Sequence, residues 1–299
     1  MTPSPLVCSI GVFAYNEEKN ISKVLDALLE QELESVTIKE IIVVASGCTD
    51  STEEIVTAYE QRYDLIRLLH EDRRAGKSSS INHFISEAKS EILVIESGDT
   101  IPAKDTVEKI VSVFNDKKTG MSGGRPIPEN NPASLVGYAV QLLWRMHHEM
   151  ALVEPKLGEM VAFRKVFKGI PPESAVDEAS IEALITQNGL KTRYIPGALI
   201  YNKGPENIKD FVKQRRRIET GHLWLKHQQN YAVSSQNKSL LLKIAWKEFK
   251  SKPLSLPRLV IVILMEIWCR FLGNYDFYIK KKNPFVWDIA QSTKELSRK

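Results

Sequence analysis

The first 125 residues predict an α/β fold with a mostly parallel sheet covered by helices on both faces. Four apolar runs, "CSIGVFA", "EIIVVA", "LIRLL" and "EILVIE", are five to seven residues long and rich in Val and Ile. That length suits strands, and near-continuous apolar runs belong to strands buried on both faces. Between the runs, apolar residues recur at spacings of three and four. One such segment carries Ile21, Val24, Leu25, Leu28 and Leu29; another carries Ile81, Phe84, Ile85 and Ala88. This is helical periodicity, and strand–helix alternation implies parallel pairing. In such sheets ligands sit beyond the carboxyl ends of the strands. The polar stretches that follow the strands are therefore the candidate site.

At 299 residues the chain has room for one large or two small domains. An apolar fraction of 43% supports a real core and excludes a disordered chain. Cys8, Cys48 and Cys269 are far apart and odd in number, without a C-x-x-C pair. That pattern argues against a disulfide framework or a zinc site and fits a reducing compartment. "MTPSPLVCSIGVF" has no basic leader before its apolar residues, so a cleaved export signal is not expected. The net charge of +4 hides an asymmetry: Lys191 to Lys299 holds 22 basic and 8 acidic residues, and the remainder is acidic. A basic, Trp-containing last third suggests an anionic partner, either nucleic acid or a membrane surface.

The polar stretches are "YNEEKN", "SGCTDST", "EDRRAGKSSS" and "SGDTIP". Each alone has a plain structural reading. Ser51 and Glu54 could form a capping box at a helix start, and an isolated Gly-Lys is weak as a phosphate signal. Together, at one sheet edge, they mix carboxylates, amides, glycine and cations. That set suits a nucleotide diphosphate with a metal.

The order of these motifs, "VFAYNEEKNI", "IIVVASGCTDST", "AGKSSSINHFI" and "SGDTIP", resembles the nucleotide-binding half of family-2 glycosyltransferases. The resemblance continues through "GEMVAFRK", "VDEASIEALITQNGLKTRYIP" and "DFVKQRRRIETGHLW", roughly residues 8 to 225. It implies a GT-A fold, a Rossmann-like mixed and mostly parallel sheet, and inverting sugar transfer from a nucleotide-sugar donor. By the same resemblance, residues 1–125 are the nucleotide-sugar half and 126–225 the acceptor and catalytic half. Residues 226–299 are then a helical extension.

The resemblance also assigns residues. Ala14, Tyr15, Asn16 and Glu17 close the first strand, with Tyr15 near the nucleobase. Ala45 stands where the family commonly has an Asp that reads uracil, which puts uridine specificity in question. Gly76 and Lys77 fall beside the diphosphate, where a compact ammonium is the right charge. Ser97, Gly98 and Asp99 match the aspartate–any–aspartate metal motif, with serine in the first seat. Mg²⁺ or Mn²⁺ is then expected on Asp99, the donor's phosphates and waters. Glu96 points to the opposite face of an extended strand and is not the missing ligand.

In the second half, Asp177–Glu178 matches the acidic pair that supplies the family's general base, and the second member, Glu178, takes that role. Acids also enrich first helical turns for electrostatic reasons alone. "QRRRI" matches a Q-x-x-R-W box, with Ile218 in place of tryptophan, which leans toward single addition. Gln214, Arg215 and Arg217 then belong with the donor, although three consecutive arginines cannot all face one way on a helix. Gly158 and Glu159 fall where the family shapes the acceptor pocket. His147 and His148 read as ordinary helix residues.

The last third supplies the partner. "SLLLKIAWKEFKSK" reads as an amphipathic helix with a basic face, suited to a membrane surface. "LVIVILMEIWCRFL" has 12 apolar residues in 14, short of the roughly 20 a crossing needs. An interfacial or partly inserted segment is expected, with a buried core helix as the other reading; Glu266 and Arg270 are spaced to pair. No continuous basic groove for nucleic acid is expected. The sequence therefore predicts a transferase on the cytoplasmic face of the cell membrane, acting on a glycan or lipid-linked acceptor. A nucleotide-binding protein without catalysis and a nucleotidyltransferase are the rival readings.

Overall fold

The computed structural model describes residues 5–233, 250, 256–286, 291–293, 295 and 296. The stretch "SLLLKIAWKEFKSK" lies outside these residues except for Lys250. Strands β1 (Leu6–Ala14), β2 (Val36–Ser46), β3 (Ile66–Glu71) and β4 (Ile92–Ser97) arise from the four apolar runs. They pair in parallel in the order β3-β2-β1-β4. Strands β5 (Thr100–Pro102), β6 (Thr119–Pro128), β7 (Val161–Arg164) and β8 (Lys191–Asn202) extend the sheet as β4-β7-β6-β8-β5. Here β7 is antiparallel to both β4 and β6, while β6 and β8 are parallel. The sheet is mixed and mostly parallel, as expected.

Alternation along the strands divides the core between two faces. Ile10, Val12, Ile41 and Val43 meet α1 (Ile21–Leu29), α2 (Thr52–Arg62) and α4 (Thr106–Ser112) on one face. Phe13, Ile42 and Val44 meet α3 (Lys77–Glu87) and α6 (Asp177–Gln187) on the other. A β-carbon on Gly11 would stand 2.7 Å from the Phe84 ring, so the bare glycine lets α3 press against β1. Because α1 and α3 cover opposite faces, the chain changes direction between β1 and β4. The carboxyl ends of β1, β2 and β4 open there, with Phe13 opposite Ser97 and Ala14 opposite Ala45.

The last two described helices close the lower half. Helix α7 (Ile208–Gln229) packs on α8 (Leu256–Tyr278), and both meet α5 (Leu135–Ala151) around Val136, Ala139, Phe211, Leu259 and Val262. Arg215 donates twice to Glu266, at 2.9 and 2.8 Å, and Arg270 donates to the same carboxylate at 2.9 Å. The anticipated pairing of Glu266 with Arg270 is therefore present. Helix α8 is neither wholly buried nor free. One side enters the core, while Leu264, Ile267, Trp268 and Phe271 on the other side are each more than half exposed. Among the described residues no helix is long and apolar enough to cross a membrane.

Candidate active site

The loops after β1 and β2 are stitched together by their own polar side chains. Asn16, in a left-handed conformation at φ 52°, accepts from the Thr49 N–H at 2.8 Å. Glu18 accepts from the Ser51 N–H at 3.2 Å, and the Glu17 N–H donates to Thr52 Oγ1 at 2.7 Å. Asp50 accepts from the N–H and hydroxyl of Thr52, at 3.1 and 2.6 Å. The expected Ser51–Glu54 capping box is not formed, since the Ser51 side chain makes no cap bond. A charged carboxylate one residue earlier is the stronger acceptor and takes that place.

Lys77, the first residue of α3, is the centre of the upper site. Gly76 before it has φ 98°, a conformation that glycine adopts without strain. A β-carbon there would also lie 3.1 Å from the Phe285 carbonyl, so the C-terminal segment passes close over this turn. The Lys77 ammonium donates to Ser97 Oγ at 3.1 Å and lies 3.3 Å from Asp177 and 3.5 Å from Glu178. Burial works against its charge, but Glu178, Asp177, Glu159 and Asp99 outweigh it and hold the lysine above its ordinary range. The serine at position 97 thus accepts from the cation where an aspartate would add a fifth carboxylate.

The acidic pair divides by environment. Asp177 is 3% exposed, and its other oxygen accepts from Ser78 at 3.0 Å. Burial raises its carboxyl against the pull of Lys77. Glu178 is more open, with its side chain 22% accessible beside the ammonium. Glu159 is held at φ 61°, a conformation that non-glycine residues adopt at a cost and that clusters at functional sites. Its carboxylate accepts from Asn202 at 2.8 Å. Burial first, and then the charge of Asp99, push it up to about 7. Glu159, assigned by resemblance to the acceptor pocket, has its carboxylate within electrostatic reach of Asp99, Glu178 and Lys77.

A cavity of about 1630 Å³ joins these groups. Its lining includes Ala14, Tyr15, Glu17, Gly76, Lys77, Ser97, Asp99, Gly158, Glu159, Asp177, Glu178, Gln214, Arg215 and Arg217. Typical single-ligand pockets are ~300–1,000 Å³, so this one has room for a donor and an acceptor together. Three expected donor residues are not in the lining. Asn16 is engaged with Thr49, and Gly98 gives its N–H to the Phe13 carbonyl. Ala45 is fully buried in β2 with its side chain turned from the cavity, and the next residue, Ser46, lines it instead. Strand alternation causes that exchange.

The arginine run splits as its helical spacing requires. Arg215 gives its guanidinium to Glu266, Arg216 pairs with Asp276, and Arg217 is left within reach of Asp177, Glu178 and Glu159. Of the three, Arg217 therefore serves the carboxylate cluster. Sequence reasoning missed Arg74, whose guanidinium lies 4.1 Å over the Tyr15 ring. It also passed over Lys156, His222 and Phe285, which line the cavity from isolated positions without a motif. His147, read as an ordinary helix residue, is buried at the cavity wall with both ring nitrogens lacking a partner among the described residues. Burial lowers its imidazole to about 3, so it is neutral.

A divalent cation fits the upper site on charge and donor chemistry. Asp99, Glu159, Asp177 and Glu178 surround Lys77 and Arg217, and burial, then the charge of Asp99, raises Glu159. Asp99 and Glu159 offer the hard oxygen donors such an ion takes. Among the described residues no group of three or more His, Cys, Asp or Glu side chains could hold a metal alone. Phosphates and waters would complete the shell. Glu96 stays outside: it is 1% exposed, accepts from Thr100 at 2.5 Å, and burial raises its carboxyl far above the ordinary range.

A parallel four-stranded half joined to a mixed half that supplies carboxylates defines a GT-A-like α/β protein. The chain belongs to glycosyl transferase family 2, whose family model matches residues 9–160. It is 31% identical to glycosyltransferase AglE of Haloferax volcanii over 42% of this chain and 40% of that protein. With the poly-beta-1,6-N-acetyl-D-glucosamine synthase of Staphylococcus epidermidis it shares 24% identity, over 81% of this chain and 57% of the synthase. The chain spans about half the length of the curated relatives it matches. Among solved structures, mannosyltransferase PcManGT from Pyrobaculum calidifontis, in complex with GDP-Man and Mn²⁺, superposes with a TM-score of 0.60. The identity is 22%, over 95% of this chain and 83% of that one, which shows a shared fold.

Proposed function

We propose that the protein transfers a sugar, with inversion, from a nucleotide-diphosphate-sugar to an acceptor hydroxyl. The observation that carries this reading is the Lys77 ammonium set among Ser97, Asp177 and Glu178 at the carboxyl ends of β1 and β4. The diphosphate is held between Lys77 and Arg217, with Tyr15 and Arg74 toward the base. Asp99 and Glu159 would hold a Mg²⁺ or Mn²⁺ ion, which would supply charge neutralisation for the leaving diphosphate. Glu178 takes the acceptor's hydroxyl proton as the new bond to the sugar forms. The bond from the sugar to the diphosphate breaks with its electron pair on the leaving oxygen. Asp177 holds Lys77 and the start of α6 in place. Complexes of relatives with GDP-Man, or with UDP, support a nucleotide-sugar donor of this kind. Residues 1–225 form the transferase body in this reading.

The test is product identity. With a panel of nucleotide sugars and Mg²⁺ or Mn²⁺, a nucleoside diphosphate should be released. Tight nucleotide binding without turnover would favour a protein that has lost catalysis, and pyrophosphate release from a nucleoside triphosphate would favour nucleotidyl transfer.

We further propose that the exposed face of α8 rests on the cytoplasmic surface of a membrane, which brings a lipid-linked or membrane glycan acceptor to the cavity. Trp268 and Phe271, stacked with ring centroids 5.6 Å apart, project from that face. Burying an aromatic side chain is worth about 1.5–3 kcal/mol. Replacing both with serine should therefore weaken co-sedimentation with anionic vesicles by at least about tenfold. Unchanged sedimentation would exclude α8 as the contact.

A further inference from the structure

The two ends of the cavity differ in how their charges are paired. At the upper end four carboxylates outnumber Lys77 and Arg217. At the other end Lys156, from the segment between α5 and β7, lines the cavity wall. It is half-buried, and no carboxylate of the described residues lies within ion-pair distance of its ammonium. An unpaired cation in such a place is costly unless something neutralises it.

The groups facing Lys156 do not supply that neutralisation. From α7 come Arg215 and His222, and from α8 come Arg270 and Glu266. Glu266 is already shared by Arg215 and Arg270, and Arg270 also approaches Glu219 at 4.0 Å. From α6 comes Glu182, whose carboxyl burial pushes up to about 7 while its bond to Tyr231 opposes this. Burial, with Lys156 and the arginines, drives His222 well below its ordinary range, so it is neutral. Three cations, Lys156, Arg215 and Arg270, thus face three carboxylates, Glu266, Glu219 and Glu182, none of which is paired with Lys156. Burial, then Arg215, lowers Lys156 to about 8, as expected of an ammonium without a counterion.

Helix α6 links this corner to the candidate base. Glu178 and Glu182 are four residues apart on α6, so they share a helix face about 6 Å apart along the axis. One end of that turn is the candidate base and the other is the Lys156 corner. Leu259, Val262 and Ile263 of α8 line the same cavity, which gives an apolar wall beside the cationic corner.

We infer that Lys156, with Arg215 and His222 beside it, seats a phosphate carried by the acceptor, about one helical turn from the hydroxyl that Glu178 deprotonates. This rests on the transferase reading, but its test is separate. sn-Glycerol 3-phosphate should raise the melting midpoint of the parent protein, with neutral glycerol as the control. It should do so both without nucleotide and with the donor site saturated by UDP or GDP. Lys156→Met should weaken this response at least tenfold and keep the nucleotide response, while Lys156→Arg should retain both. Between pH 7 and 9 the phosphate response of the parent should fade as Lys156 loses its proton, and that of Lys156→Arg should persist. Vesicles with phosphatidic acid, compared with phosphatidylcholine alone, distinguish a lipid phosphate from a soluble one by the same variant difference. Equal responses in the parent and Lys156→Met, or displacement of glycerol phosphate by the nucleotide, would overturn the assignment. Absence of any nucleotide response in the parent would instead count against the transferase reading.

Discussion

Glu178→Gln is expected to lower sugar transfer by about 10²–10⁴-fold, the usual contribution of a positioned general base. The substitution keeps the side chain's size and removes its ability to accept a proton as an anion. Nucleotide binding should change little. Lys77 retains Asp177 at 3.3 Å and Ser97 at 3.1 Å, and Arg217 retains its other carboxylates. Asp177 is the less suitable base, because it is 3% exposed and occupied by Ser78 and Lys77. Asp177→Asn should therefore show itself first as lost stability and misplaced Lys77. Initial rates of nucleoside diphosphate release, measured beside nucleotide affinity, separate the two. Near-normal turnover in Glu178→Gln would move the base to Asp177 or defeat the assignment.

The second large effect concerns the cation. In the parent, Mg²⁺ or Mn²⁺ should bind weakly alone and much better once a nucleoside diphosphate is present, since the protein offers too few ligands by itself. Asp99→Asn should remove that coupling and reduce the metal's apparent affinity in the presence of nucleotide at least about tenfold. Ser97→Ala deletes only the hydroxyl that accepts from Lys77. Ser97 is not among the proposed metal ligands, so this variant should lower the metal's apparent affinity far less than Asp99→Asn does. Titration of metal into the nucleotide-bound protein measures both. If both variants behave as the parent does, the Ser-Gly-Asp turn holds no metal.

Much of this is legible in the sequence alone, and for identifiable reasons. The runs in β1, β2 and β4 are buried on both faces, so they had to be apolar throughout, and their ends located the site. The split of Arg215, Arg216 and Arg217 followed from helical geometry alone. What escaped depended on partners distant in sequence. Strand β6, "TGMSGGRPIP", has no strand-like hydrophobic pattern and forms because β7 and β8 pair with it. Asp50, rather than Ser51, organises the start of α2 because the β1 loop brings its own acceptors and donors to the same place. Ala45 is buried and Ser46 lines the cavity; alignment by motif ignores which side chain of a strand faces the cavity. Lys156 carried no motif, and only the closure of α7 and α8 around it makes its lack of a counterion visible.

The central claim is that the loops at the carboxyl ends of β1, β2 and β4 bind a nucleotide diphosphate-sugar together with a metal. Thermal unfolding of the full chain across nucleoside diphosphates and nucleotide sugars, with and without Mg²⁺ or Mn²⁺, tests it most directly. The predicted result is stabilisation by at least one nucleotide, enlarged when the metal is added and small with the metal alone. No stabilisation by any donor under either condition would contradict it.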